Sequence, residues 1–331
     1  MSDASVDLEK LPSDKSAGQK AGGRYSPQGP APAAPSGGRL KNLVIRLCSS
    51  SILVGFVLAT LFWFPLWTYA LVIAGFVAAG LFEFFTMVRH RGILVHRPLS
   101  VGLGVFFILL VTWRSMIEPG LVSSPVGGFG AVAISWLWDV FWPVTIMVLF
   151  LRQLTRQNTF EALGGLATTL FGLAYVAALF SYFLYIRSRH ADVGAWLVFF
   201  LVWVTKMGDA GAYFVGNWMG AHTLMPRISP KKTIEGFIGA IAFSMAAAVV
   251  GQSLLRNQPI FSHAPTPWLC ALLGLILGVV GQLGDLAESL LKRDCQVKDT
   301  GTLIPGLGGV LDVIDSLLFT APLFYAILIY G

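Results

Sequence analysis

Charged residues are scarce in this 331-residue chain, because Asp, Glu, Lys and Arg make up 12% of it and hydrophobic residues 55%. A soluble domain carries roughly twice that share of charge. The mean hydropathy of +0.72 points the same way. A chain this apolar would expose more nonpolar surface to water than a soluble fold tolerates. The composition therefore predicts a protein whose solvent is the lipid bilayer.

Cysteine is also scarce, and Cys48, Cys270 and Cys295 lie far apart in the chain. Their spacing matches neither a disulfide framework nor a metal cluster, so we interpret them as buried small hydrophobic residues. The net charge of +6 would suggest nucleic acid in a soluble protein. In a membrane protein, basic cytoplasmic loops explain it, and no nucleic-acid partner is expected.

Residues 1–38 are rich in Pro, Gly, Ala and Ser and have no apolar periodicity. They are expected to form a disordered cytoplasmic tail, because they cannot bury enough surface to offset their ordering entropy. The tail is too long and polar for the start of a cleaved signal peptide. Beyond it, we expect N-terminal transmembrane helices in residues 39–195 and a catalytic transmembrane region in residues 196–331.

Stretches of about 20 mostly apolar residues, long enough to span a bilayer, recur along the chain without a convincing internal repeat. They predict an all-α integral membrane protein with about nine transmembrane helices, and eight or ten spans stay open. The predicted spans are 43–63, 66–88, 98–116, 131–151, 161–186, 194–216, 234–255, 267–291 and 312–330.

Lys and Arg divide unequally between alternate loops of this arrangement. One set of loops holds eleven and the other four, and the basic N-terminal tail falls on the side of the eleven. Since basic residues concentrate in cytoplasmic loops, the count predicts a cytoplasmic N-terminus and an odd number of helices.

Acidic residues inside apolar segments indicate where chemistry takes place. Of the 17 Asp and Glu residues, eight follow residue 200, several of them within predicted spans. A charge inside a membrane costs on the order of 3 kcal/mol, so it persists where it pairs, binds a metal or faces a watery cavity. For a single residue, helix-to-helix ion pairing is an equally good explanation; for the whole set, a functional site is the better one.

Two segments before residue 240 carry candidate residues. Asp209 lies among small residues that let another backbone or a phosphate approach, and Lys206 lies on the same helical face. In the second segment, Ser229 and Pro230 are typical of an N-cap and first helical residue. That helix start would place Lys231 and Lys232 where backbone N–H groups favour a phosphate, although a basic loop at lipid headgroups fits equally well.

The C-terminal segment gives the strongest signal. Asp285 and Glu288 are three residues apart, as are Asp312 and Asp315, so each pair lies on one helical face. Two such carboxylates can share a hard cation, and Mg²⁺ prefers one or two carboxylates together with phosphate oxygens. The nearby basic residues can neutralise charge on a transferred phosphate; they are Lys292, Arg293 and Lys298.

At these residues the chain resembles the phosphatidate cytidylyltransferase (CDP-diacylglycerol synthase) family. The family's C-terminal motif is matched within SLLKRDCQVKDTGTLIPGLGGVLDVID, residues 289–315. Its upstream elements resemble Asp209–Gly216, Ser229–Gly236 and Asp285–Ser289. The close resemblance covers about residues 200–331. Leu307 replaces the family's usual His and Val313 its usual Arg, and the effect of both departures on activity stays open.

The resemblance implies that CTP and phosphatidic acid give CDP-diacylglycerol and pyrophosphate, with Mg²⁺ as cofactor, on the cytoplasmic side of the cell (inner) membrane. It implies catalytic roles for Asp285, Lys292, Asp312 and Asp315, and metal ligation by Asp209, Asp285, Asp312 and Asp315. The implied substrate-binding residues are Lys206, Ser229, Lys231, Lys232, Thr233, Glu235, Glu288, Ser289, Arg293, Lys298, Asp299, Gly308 and Gly309.

Other functions stay open at this point. A CTP-dependent transferase or kinase acting on another membrane lipid, such as a polyprenol, would use similar residues. A cation-coupled transporter is disfavoured, because transporters usually show internal repeats and the charges here concentrate in the second half. Acyl-chain preference and a homodimer are left open.

Overall fold

The computed structural model describes residues 36–117, 127–155, 162–189, 193–255, 266–304 and 308–330. The predicted disordered tail lies almost wholly outside the described residues, as does Leu307. Residues 42–331 belong to one compact unit, and residues 1–41 are assigned to a separate one.

The described residues form helices and one short hairpin. The hairpin strands, β1 (Thr223–Met225) and β2 (Ser229–Thr233), pair antiparallel. A π-helical segment, Leu173–Ala178, joins two of the helices. The helices are α1 (Ser36–Phe62), α2 (Leu66–His90), α3 (Arg97–Ile117), α4 (Gly127–Leu154), α5 (Ala162–Gly172), α6 (Leu179–Arg189), α7 (Gly194–Met219), α8 (Ile234–Leu254), α9 (Pro267–Asp294) and α10 (Val310–Tyr330).

Each of the nine predicted spans falls on helix, the fifth on α5, the π-helical segment and α6 together. Eight helices among the described residues are long and apolar enough to cross a membrane, and Cys48–Phe62 of α1 is a shorter apolar helix. The prediction of an all-α, multi-pass membrane protein is confirmed. The count of nine and the cytoplasmic N-terminus stay predictions.

The described cysteines bear out the sequence interpretation in two cases of three. Cys270 and Cys295 are buried, and burial raises the pKa of the Cys295 thiol, so that it stays neutral. Cys48 is exposed on α1, so the interpretation as a buried residue is wrong for this position.

Glycines bring the helices of the second half unusually close together. A Cβ at Gly211 of α7 would lie 2.5 Å from Phe243 Cβ and 2.7 Å from the carbonyl oxygen of Gly239, both on α8. A Cβ at Gly284 of α9 would lie 2.7 Å from the Asp315 carbonyl oxygen on α10. The small residues around Asp209 thus admit another backbone, that of α8, as small residues do between membrane helices.

We predict opposite effects for two Gly→Ala changes in helices. Gly211→Ala should destabilise the protein by about 1–3 kcal/mol, because the added methyl overpacks the α7–α8 contact. Gly102→Ala on α3 is the matched control, since its Cβ would meet nothing within 4 Å, and it should stabilise by about 0.5–1 kcal/mol. Unfolding of the two purified variants in detergent measures the difference, and shifts in the same direction would contradict the packing account.

Candidate active site

Three carboxylates from two helices converge at the α9–α10 crossing. Asp285 and Glu288 lie one turn apart on α9, and Asp315 faces them from α10. One carboxylate oxygen of each lies within 4.8 Å of those of the other two. Glu288 and Asp315 are buried, and Asp285 is partly exposed. The close approach at Gly284 lets these three side chains meet.

Lys292 connects this carboxylate triad to the start of α10. Its Nζ lies 2.5 Å from Glu288 Oε2 and donates a 2.8 Å hydrogen bond to Asp312 Oδ1. The contact with Glu288 is an ion pair between a buried carboxylate and a largely buried ammonium group. Lys292 therefore bridges two acids, one on α9 and one on α10.

Asp312 lies in the first turn of α10, where it shares Lys292 with Glu288 and also contacts the loop before the helix. Besides Lys292 Nζ, it accepts hydrogen bonds from Thr300 N at 3.2 Å, Thr300 Oγ1 at 3.0 Å and Gly309 N at 2.9 Å. A carboxylate in the first turn of a helix is also favoured by the helix dipole. Asp312 therefore orders the loop and Lys292, and it is not among the three carboxylates that converge.

The hairpin separates the two adjacent lysines. Lys232 points inward, and its Nζ lies 2.7 Å from Asp285 Oδ2. Lys231 is exposed, as expected for consecutive residues on a strand. The structure thus brings one of the two predicted phosphate-binding lysines to the triad.

The predicted helix start at Ser229 and Pro230 is wrong. Ser229–Thr233 is strand β2, and α8 begins at Ile234 with Thr233 as its N-cap, whose Oγ1 accepts a 3.1 Å hydrogen bond from Gly236 N. Pro230 lacks an N–H, but a two-stranded hairpin tolerates proline at its edge. Pairing of β2 with β1 outweighs the local capping preference.

Two predicted substrate-binding residues hold the hairpin in place. Glu235 accepts hydrogen bonds from Ala221 N at 3.1 Å and His222 N at 3.2 Å, and contacts His222 Nδ1 at 2.6 Å. Arg293 Nε donates to the Ile228 carbonyl oxygen at 3.1 Å. These contacts tie the hairpin to α8 and to the end of α9.

Lys206 and Asp209 of α7 form the pair that their spacing predicts. Lys206 Nζ donates to Asp209 Oδ2 at 2.9 Å, to the Val313 carbonyl oxygen at 2.9 Å and to Ser316 Oγ at 3.0 Å. Asp209 also accepts from Ser316 Oγ at 3.0 Å and Gln282 Nε2 at 3.4 Å. Asp209 therefore lies beside the triad, docked on α9 and α10, without being one of its members.

The remaining predicted site residues surround the loop between α9 and α10. Ser289 is buried on α9, whereas Lys298 and Asp299 are exposed beyond its end. Gly308 has φ +100°, a conformation that favours glycine, and exchanges two backbone hydrogen bonds with Ile304. Gly309 packs directly against Thr300 and Glu83, where a Cβ would not fit.

Glu83 of α2 is the residue that the sequence interpretation missed. It is 2% exposed, and its carboxylate accepts from Val310 N at 3.0 Å, Leu311 N at 2.9 Å and Thr300 Oγ1 at 3.3 Å. It thereby caps the N-terminus of α10 from a helix more than 200 residues away in sequence, where backbone N–H groups need acceptors. The one sequence signal for this role is an acid inside an apolar span of the first half of the chain.

Tyr175 was also missed, and no sequence pattern singles it out. It lies in the π-helical segment, is 5% exposed, and its phenol oxygen has no hydrogen-bond partner among the described residues. The phenol is within electrostatic range of Glu288, Asp315 and Asp285. π-Helical turns are frequent at functional sites, and this one presents a free hydroxyl to the triad.

The charges of this cluster do not balance among themselves. Five carboxylates surround three lysines, which leaves a formal charge of minus two; the carboxylates are Asp209, Asp285, Glu288, Asp312 and Asp315, and the lysines Lys206, Lys232 and Lys292. Oxygen ligands in this number and spacing fit a hard divalent cation. The lysines place positive charge where phosphate oxygens could bind.

Three predicted cytoplasmic loops meet at this end of the molecule. Arg91, after α2, forms an ion pair with Asp294 at the end of α9. Arg293 contacts the hairpin that follows α7. The structure thus brings together loops that the distribution of basic residues assigns to one side of the membrane.

Comparison with known proteins identifies relatives over most of the chain. The model of the cytidylyltransferase family matches residues 44–330. The chain is 34% identical over 252 residues to a phosphatidate cytidylyltransferase of Bacillus subtilis, covering 76% of this chain and 85% of the relative. It is 33% identical over 287 residues to one of Synechocystis, covering 78% and 87%. It is 45% identical over 248 residues to one of Staphylococcus haemolyticus, covering 70% and 90%.

We predict that Glu83→Gln lowers the free energy of unfolding by about 1–3 kcal/mol, because an amide cannot accept from both backbone N–H groups and one buried donor loses its partner. Asp139→Asn is the matched control, since Asp139 is an exposed acid on another helix. Chemical denaturation of both purified variants measures the change. Equal stability of the two would contradict the capping role of Glu83.

Proposed function

The chain belongs to the cytidylyltransferase family, and we propose that it acts as a phosphatidate cytidylyltransferase, converting CTP and phosphatidic acid to CDP-diacylglycerol and pyrophosphate in phospholipid biosynthesis. The observation that carries the assignment to this site is the triad of Asp285, Glu288 and Asp315 with lysines from three separate segments around it. Such a cluster suits a reaction in which phosphates bind, react and leave.

The chemistry needs positioning and charge neutralisation more than proton transfer. An oxygen of the lipid phosphate attacks the α-phosphorus of CTP, and the bond from that phosphorus to the bridging oxygen of the β-phosphate breaks, releasing pyrophosphate. A phosphate monoester is largely dianionic near neutral pH, because its second pKa is about 6. A general base is therefore not required, and holding the reactants in line supplies most of the acceleration.

Mg²⁺ is the proposed cofactor, and the residues fit it. Asp285, Glu288 and Asp315 would hold it, since one oxygen of each lies within 4.8 Å of the others and the cluster contains two more carboxyl groups than lysines. When bound, the ion would neutralise charge on the CTP phosphates. Metal ligation by Asp209 and Asp312 stays a prediction; in the structure these two acids contact Lys206 and Lys292.

The lysines have distinct proposed tasks. Lys292 and Lys232 each contact a triad carboxylate, so they can exchange this contact for a phosphate oxygen as substrate arrives. Lys206 is tied to α10 through the Val313 carbonyl oxygen and Ser316, so it fixes the position of Asp209. Arg293 and Lys298, exposed beyond the end of the cluster, would attract CTP from solution.

The site is proposed to open to the cytoplasm, with the protein in the cell (inner) membrane. The support is the concentration of Lys and Arg in the loops at the site end, since such loops stay cytoplasmic. CTP, the polar substrate, would enter from that side and phosphatidic acid from the bilayer. A homodimer stays a prediction.

We predict that Asp315→Asn abolishes CDP-diacylglycerol formation, lowering turnover by at least about 100-fold, because the triad loses one of its three charges. The assay supplies purified protein with CTP labelled at the α-phosphorus, phosphatidic acid and Mg²⁺, and separates the products. Asp139→Asn should retain parental activity, and a folded Asp315→Asn protein with full activity would contradict the assignment. Transfer of γ-label in place of α-label would instead indicate a lipid kinase.

The adjacent lysines provide an internal comparison. Lys232→Gln should lower turnover by roughly 100-fold, since this side chain contacts the triad, whereas Lys231→Gln should cost less than about tenfold, because Lys231 is exposed. Initial rates at saturating CTP measure both. Equal losses of turnover, or a larger loss for Lys231→Gln, would contradict the proposal that Lys232 and not Lys231 contacts the substrates at the triad.

A further inference from the structure

An apolar groove of about 810 Å³ runs between α1 and α2 and ends beside the α9–α10 loop. Phe56 and Ala59 line it from α1, Val72 and Gly75 from α2, and Ile304 and Val310 close the end nearest the site. The hydroxyls of Thr60 and Thr68, which also line it, donate to carbonyl oxygens of their own helices, Val57 and Pro65. The groove therefore offers an occupant mainly hydrocarbon contacts.

The groove arises because α1 is held at its C-terminal end. Leu61 is buried and its carbonyl oxygen accepts from Arg187 Nε at 3.3 Å, while the ring of Phe62 lies 4.5 Å from that of Trp196. Farther from this anchor, Phe56 remains 57% exposed and Ile52 72% exposed. The middle of α1 is thus less covered than its C-terminal end, and the groove separates it from α2.

The site end of the groove is continuous with the catalytic machinery. Val310 lines the groove and donates its N–H to Glu83, and two residues later Asp312 binds Lys292. Ile304 lines it as well, and exchanges two backbone hydrogen bonds with Gly308. An occupant of the groove would therefore present its polar end to the start of α10, where Asp312 binds Lys292.

The groove has the length of one hydrocarbon chain in one leaflet. Thr68 and Ala79, near its two ends on α2, are separated by about 16 Å of helix. Half of a bilayer's hydrocarbon core is about 15 Å thick. A single extended acyl chain matches this span.

We propose that the groove between α1 and α2 binds an acyl chain of the lipid substrate and so aligns the lipid phosphate with Lys292 and the triad. The inference rests on the proposed function for the identity of that lipid as phosphatidic acid. Since lipid tails are as apolar as the groove, it contributes orientation and chain-length preference more than affinity.

The first test labels the groove directly. Full-length protein in detergent micelles is irradiated with a phosphatidic acid that carries a diazirine near the end of one acyl chain, and labelled residues are located by mass spectrometry. Adducts on groove residues of α1 and α2 are expected, suppressed by excess dioleoyl phosphatidic acid but not by dioleoyl phosphatidylcholine. Equal suppression by both lipids would assign the groove to bulk lipid and overturn the proposal. An absence of adducts in the groove, which a second copy of the chain bound there would produce, would also overturn it.

The second test narrows the groove. Gly75→Leu adds a side chain where a Cβ would meet nothing within 4 Å. It should lower the ratio of the rate with dioleoyl phosphatidic acid to the rate with dihexanoyl phosphatidic acid roughly fivefold, because a displaced chain misaligns the phosphate. Ala79→Leu, one turn nearer the site, should act likewise. Gly55→Leu, on α1 but outside the groove lining, is the control that leaves the ratio unchanged.

The outcomes separate this inference from the proposed function. An unchanged ratio in both groove variants, or equal loss with both substrates, overturns the acyl-chain site while CDP-diacylglycerol formation by the parent still supports the enzyme. Selective labelling by phosphatidic acid in a parent protein that forms no CDP-diacylglycerol would overturn the proposed function and leave the groove as a lipid site.

Discussion

Compensation of charge inside an apolar helix bundle is the constraint on which the rest of this structure depends. A carboxylate or ammonium group away from water costs several kcal/mol even when it is paired, and more when its partner is missing. Lys206, Lys232 and Lys292 each contact acids on one or two helices, yet five carboxylates surround these three lysines. A network with a purely structural role would pair each carboxyl group with a cation. This one has two more carboxyl groups than lysines, which a divalent cation can balance.

The packing of the helices serves that arrangement. Gly284 lets α9 and α10 approach until Asp315 reaches Asp285 and Glu288, and Gly211 does the same for α7 and α8. Glu83 then joins the two halves of the chain, because a helix of the first half caps the N-terminus of α10. Helix α2 also borders the groove, with Gly75 and Ala79 on the same helical face as Glu83, so one helix would support both the catalytic loop and an acyl chain.

Much of the fold could be predicted from the sequence, because a bilayer allows apolar segments few alternatives to helix. The spacing of Asp285 and Glu288 also predicted their shared face correctly. For Asp312 and Asp315, the same spacing gave the shared face but not the partners. Asp315 meets the two acids of α9, whereas Asp312 binds Lys292 of α9 and the loop residues Thr300 and Gly309. Pairing with β1 likewise makes Ser229–Thr233 a strand and not the start of a helix. No local pattern could predict that Glu83 of α2 caps α10.

Metal binding by Asp285, Glu288 and Asp315, next to the CTP phosphates, is the proposal on which the assignment of the site depends. Its most direct test is an anomalous difference map from crystals grown with Mn²⁺ and a non-hydrolysable CTP analogue. We expect a manganese peak bounded by these three carboxylates, with the nucleotide phosphates on its open side. A peak held instead by Asp209 and Asp312, with the triad empty, would contradict the account.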